Sequence, residues 1–139
     1  METSEIKRRL HQTIERARRQ AAERRAQSEE AGRAFESFLS ATAVPLFRQL
    51  ANVLRSDGYQ FSVSTPSGSV RLMSDRTAED FIELTLDTAE ATPQVMAHSR
   101  YSRGRRVRES ERAIGAPAEL TEEALLTYVL KELEALVER

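Results

Sequence analysis

From Ser4 to Ala31 the chain contains neither proline nor glycine, and Arg, Glu, Gln and Ala, all strong helix formers, dominate. Apolar and small positions recur there at alternating spacings of four and three: Leu10, Ile14, Ala17 and Ala21, then Arg24, Ser28, Ala31, Phe35 and Phe38. This is a coiled-coil seam, sound at its ends and poor at Arg24 and Ser28. Glu5–Arg9, Glu15–Arg19 and Glu29–Arg33 follow the order that supports a helix, acid before base four residues later. If the helix runs to Leu39 it is roughly 54 Å long. A compact globule of this chain length is only about 37 Å across. The helix is therefore expected to outreach its own domain and to meet a partner through Leu10, Ile14, Ala17, Ala21 and Arg24. The competing reading is a solvated single helix laced with ion pairs.

Gly32 can bend this pattern. A wide stripe at helical spacing then follows, Phe35, Phe38, Leu39, Leu46, Phe47, Leu50, Val53 and Leu54. Pro45 lies inside it, so the segment is expected either to kink at Pro45 or to restart as a new helix capped by Ser40 or Thr42. Ser56-Asp57-Gly58 is a stop signal.

From Tyr59 the period changes to two. Tyr59, Phe61 and Val63 alternate with polar residues, and Thr65-Pro66-Ser67-Gly68 is a turn. Setting Val63 opposite Val70 places Phe61 opposite Leu72. Ile82, Leu84 and Leu86 alternate along the next strand; pairing Leu86 with Val95 sets Leu84 by Ala97, Ile82 by Ser99 and Glu83 by His98. Arg103-Gly104-Arg105-Arg106 reads as a hairpin tip, with Ser102 opposite Val107, Arg100 opposite Glu109 and His98 opposite Glu111. Val107 to Ile114 is polar on both faces, as suits a protected edge strand. Thr121 caps a last helix whose stripe is Leu125, Leu126, Val129, Leu130, Leu133 and Leu136.

The expected fold is α+β: a long N-terminal helix with a bend allowed near Gly32 or Pro45, a four- to five-stranded antiparallel β-meander, and a C-terminal helix packed on one sheet face. Residues 1–33 form the projecting, coiled-coil-like helix and 34–139 a single α+β domain. The second and last helices cover one sheet face. The other carries Glu83, Thr85, Asp87, His98 and Arg100 and is wet or covered by a partner.

Composition narrows the function classes. The 139 residues include no Cys, which excludes disulfides, thiolate metal sites and cysteine nucleophiles. His11 and His98 are the only imidazoles and lie in unrelated segments, so no metal site is expected. The charged start is followed by no apolar run, so no signal peptide, no membrane span and a cytoplasmic location are expected. Net charge is −1 but unevenly spread: Asp75–Glu90 has six acids and one Arg, while Arg100–Arg112 has six Arg and two Glu. A near-neutral chain of alternating blocks points to charge pairing rather than to a dedicated nucleic-acid binder.

Phosphate-cradling glycine loops and nucleophile elbows are absent. Glu83 and Asp87, about 13 Å apart along a strand, are too far apart to share one metal ion. His98 between Glu83 and Glu111 is the one constellation resembling an acid–base site, and a cross-strand charge ladder is its plainer reading. The sharpest local feature is Arg100, Arg103, Arg105, Arg106, Arg108 and Arg112 on or beside one hairpin, with Tyr101 among them; the first five are the candidate anion- or partner-binding residues. Arg forks suit phosphate, but Glu109 and Glu111 are expected to interrupt the patch and neutralise Arg100. No catalytic residue, cofactor or small-molecule substrate is evident; a ligand pocket between the sheet and the Phe35–Phe47 stretch lacks a convergent polar set. The chain reads as a non-enzymatic oligomerisation or adaptor module, binding itself or another protein through its first helix and the Arg hairpin. The alternative is a small dimeric nucleic-acid-binding protein using that hairpin.

Overall fold

A computed structural model describes residues 1–77 and 79–138. Helix α1 spans Thr3–Phe38 and runs through Gly32 without a break. Its 36 residues give about 54 Å. Five residues, Leu39–Ala43, then form a wider π-turn, and α2 follows directly at Val44–Ser56.

Neither Ser40 nor Thr42 caps α2, and there is no gap in the helical rod. Pro45 does fall in the first turn of α2, as one alternative expects, but α2 is entered from the π-turn rather than from a cap. In that turn the Val44 N–H donates to the Leu39 carbonyl, five residues back. Two features of the sequence call for this. Pro45 has no N–H, and its ring clashes with the carbonyl four residues earlier in a regular helix. The stripe formed by Ala43 at the end of the π-turn and by Leu46, Phe47 and Ala51 of α2 is also out of phase with Phe35 and Phe38 by roughly 100°, one residue's rotation. One extra residue in the turn brings both stripes to the same sheet, and all six side chains are buried.

Five antiparallel strands follow in sequence order as a meander: β1 Phe61–Ser64, β2 Val70–Ser74, β3 Phe81–Asp87, β4 Gln94–Arg103 and β5 Arg106–Gly115. The β3–β4 and β4–β5 registers are the expected ones, Glu83 opposite His98, Leu86 opposite Val95, Arg100 opposite Glu109 and Ser102 opposite Val107. The β1–β2 register differs: Val63 lies opposite Leu72 and Phe61 opposite Ser74. The connection is two residues longer than the turn signal implied. A slip of two keeps every side chain on its face, so the apolar pattern cannot detect it.

Gly104 has φ +58° while Arg105 does not have positive φ, the signature of a two-residue hairpin loop with glycine at its first central position. β5 is an edge strand, exposed from Arg106 to Ala113. Helix α3, Glu122–Val137, starts where the Thr121 hydroxyl accepts from the Ala124 N–H.

The core lies between one sheet face and the two helices α2 and α3. Phe47, Leu72, Ile82, Leu84, Leu125, Val70, Val95 and Val129 are its largest fully buried side chains. The α3 stripe needs a correction: Leu130 is exposed and Tyr128 is buried in its place. Tyr128 faces the β4–β5 end of the sheet, where Arg112 stacks over its ring at 4.8 Å.

Candidate interaction surfaces

No side chain N-terminal to Phe35 is buried. Leu10 is 54% exposed, Ile14 38% and Ile6 50%, while Ala17 and Arg24 are exposed and Ala21 is half-buried. Ile6 extends the uncovered stripe by one turn; four residues before Leu10, it sits beside the seam. The seam itself divides. Its C-terminal half, Ser28, Ala31, Phe35 and Phe38, is half-buried to buried, closing onto the domain. There Arg24, Gln27 and Ser28 flank a cavity of about 170 Å³ against the β3–β4 loop at Thr88–Ala91 and Pro93. The exposed half is what a helix of this length leaves when it overshoots its domain.

The Arg cluster also divides. Strand alternation puts Arg106, Arg108, Ser110 and Arg112 on the face that carries α3, and Glu109 and Glu111 on the other. The two acids therefore do not interrupt the row of Arg. Arg100 lies on the open face and pairs with Glu79 at 3.4 Å, not with Glu109. Arg103 pairs with Glu138, just past the end of α3, and lies over the Tyr101 ring at 5.8 Å. Among the described residues, Arg105, Arg106 and Arg108 form no ion pair. They remain as a short exposed patch at the hairpin tip.

On the open face the expected His98 ladder forms with different partners. Glu83 is held by Arg71 at 2.7 Å, leaving His98 to meet the diagonal Glu109 at 2.5 Å. Phe81 lies between them, buried under the Arg71 guanidinium at 4.1 Å and edge-on to His98 at 5.1 Å. Glu83 meets the Arg71 cation and Glu109 the His98 ring, so the row is a set of cross-strand contacts worth a few tenths of a kcal/mol to about 1 kcal/mol each.

Three polar features were invisible in the linear pattern. Asp80 is 3% exposed, and the Ser102 N–H and hydroxyl both donate to its carboxylate, at 3.0 and 3.1 Å. Ser99, 2% exposed, donates to Glu132 of α3 at 3.0 Å and lies 2.8 Å from the Ser110 hydroxyl. The Tyr128 hydroxyl beside them is buried, with no hydrogen-bond partner among the described residues. Burial, and then the charge of Glu132, push its pKa up to about 12, partly offset by the nearby Ser99 hydroxyl and Arg112.

A groove of about 620 Å³ runs between the end of α1 and the β1–β2 connection, lined by Gly32, Phe35, Leu39, Val44, Leu86 and Thr65–Ser69, with Glu36 and Ser40 at its side. Its lining is mainly apolar, and no set of charged groups converges on it. Among the described residues no three His, Asp or Glu side chains are grouped to hold a metal ion, and no helix is long and apolar enough to cross a membrane.

Fold and surfaces together define the class: an α+β helix–meander–helix domain carrying a long helical arm. No family model, curated protein or solved structure matches this chain.

Proposed function

We propose that the protein is a cytoplasmic, non-enzymatic oligomerisation or adaptor module that binds through the N-terminal part of α1. The observation that carries this reading is the exposed stripe of Ile6, Leu10, Ile14 and Ala17, continued by the half-buried Ala21, on a helix that its own domain supports only from about Arg24 onward. An isolated amphipathic helix gains most of its stability from packing. Large apolar side chains followed by alanines suit close approach of a second helix. Sedimentation equilibrium of the wild-type chain and of a Leu10→Asp/Ile14→Asp variant tests it. Mass above the monomer that the variant loses supports the reading; a wild-type monomer at all accessible concentrations removes self-association.

The exposed Arg105, Arg106 and Arg108 supply the second contact, to an acidic protein surface. Their lack of ion pairs also suits a phosphate backbone, the alternative reading. Binding to duplex or single-stranded nucleic acid that weakens steeply with salt and vanishes on replacing all three by Ala would favour that alternative.

A further inference from the structure

We infer that the outer edge of β5 takes up an extended segment of a partner protein as a sixth strand, with acidic side chains at every second position set opposite the Arg row. This rests on the proposed contact between the Arg hairpin and an acidic protein surface, and adds to it the form of the partner.

The free edge comes first. β5 is last in the sheet order and pairs with β4 alone. Its residues from Arg106 to Ala113 are exposed. Alternate residues of an edge strand turn N–H and C=O away from the neighbouring strand, so β5 presents a row of donors and acceptors to any strand that arrives. The opposite edge is different. The Phe61 carbonyl of β1 accepts from Arg55 of α2 at 2.9 Å, and β1 is four residues long where β5 is ten.

Charge then decides what can add. Arg106, Arg108 and Arg112 alternate along the face that carries α3, and among the described residues none of them forms an ion pair. Glu109 and Glu111 lie on the other face. Charges commonly keep edges unpaired, and this edge refuses its own kind. Two β5 strands that close about a two-fold axis through the sheet must set like faces together. With Ser110 on the axis, Arg108 meets Arg112 and Glu109 meets Glu111. With Glu109 on the axis, that carboxylate meets its own copy and Arg106 meets Arg112. Every other centre from Val107 to Arg112 also brings together at least one like-charged pair, which destabilises the contact. A strand with acids at alternate positions escapes these conflicts. Its carboxylates lie opposite the Arg row, with Cβ atoms about 5 Å apart, and its neutral residues lie opposite Glu109 and Glu111.

The same alternation disfavours a nucleic acid here. A phosphate backbone laid along the edge meets Glu109 and Glu111 as well as the Arg row, and it brings no regular series of donors to the outward carbonyls. A β-strand has both the donors and the period of two, and strand addition lets main-chain bonds supply affinity while alternate side chains supply specificity.

Fluorescence anisotropy of the full-length protein at low salt tests this with labelled probes. The first is a short peptide of alternating Glu and Thr; the second has the same composition with its Glu in one block. Two further forms of the alternating peptide are N-methylated, one on its Thr amides and one on its Glu amides. Single-stranded oligothymidylate is the last probe. The alternating peptide should bind at least about tenfold more tightly than the block peptide. One methylated form should lose binding and the other keep it, because only one edge of the added strand faces β5. An Arg106→Glu/Arg108→Glu variant, changed only at exposed positions, should lose the Glu peptide and take up its alternating Lys–Thr counterpart. Equal binding of alternating and block peptides, or equal behaviour of the two methylated forms, overturns strand addition and leaves the acidic contact standing. Binding of oligothymidylate without either peptide, or of no probe at all, overturns both.

Discussion

Replacing Tyr128 by Phe is expected to stabilise the protein, although it deletes a polar group from a sequence-conforming helix. The ring is 4% exposed and packs under Arg112, an interaction Phe retains. Among the described residues no partner lies within hydrogen-bonding geometry of the hydroxyl, the nearby Ser99 included. A buried hydroxyl left unsatisfied costs about 1–3 kcal/mol. Its removal should return about 1 kcal/mol, the low end of that range, since Ser99 and Arg112 lie close by. At an unfolding entropy of about 2.1 cal/mol/K per residue, this chain length converts that gain to a rise in Tm of about 3 °C. Urea denaturation at one fixed protein concentration is the assay, because any self-association makes stability concentration-dependent. The midpoint should rise while the slope stays constant. The substitution also has a pH signature. Tyr128 ionises near pH 12 when folded and near 10 when unfolded. Its contribution is fully present below pH 10. Between pH 10 and 12 the unfolded chain releases the proton and the folded chain keeps it, so stability falls as pH rises. The Phe variant lacks this component. A variant destabilised by 1 kcal/mol or more, with an unchanged slope, would refute the argument, because it would mean the hydroxyl is bonded in the folded protein.

Ser99→Ala should cost about 1–2 kcal/mol in denaturant unfolding, since it removes bonds to both Ser110 and Glu132 and leaves that carboxylate without its donor. Leu125→Ala should cost about 2–5 kcal/mol by the same measurement, whereas Leu130→Ala, on the exposed side of α3, should stay within about 0.5 kcal/mol. Gly104→Ala should lower stability by about 1 kcal/mol, because the hairpin loop holds φ at +58°; an unchanged melting temperature would mean that the loop relaxes to another turn.

Local information settled the elements whose causes are local. The Thr121 cap lies where the side-chain chemistry places it, and the β3–β4–β5 registers follow from alternation on a half-buried sheet with a glycine at the hairpin tip. Most of the length of α1 follows from the run of helix formers from Ser4 to Ala31, while its continuation through Gly32 to Phe38 accompanies the burial of Phe35 and Phe38. Only packing in three dimensions decided the rest. Period two assigns Glu83, His98 and Glu109 to one face but not their partners, because long side chains reach diagonal neighbours as easily as opposite ones. A two-residue slip between β1 and β2 changes no face, so only the path of their connection decides it. Pro45 announces a disturbance, yet the π-turn, with its one extra residue, exists because two apolar stripes must face one sheet. The seam of α1 is continuous along the chain; its division into a covered and an uncovered half depends on where the β3–β4 loop arrives, a distance in space that no spacing along the sequence encodes.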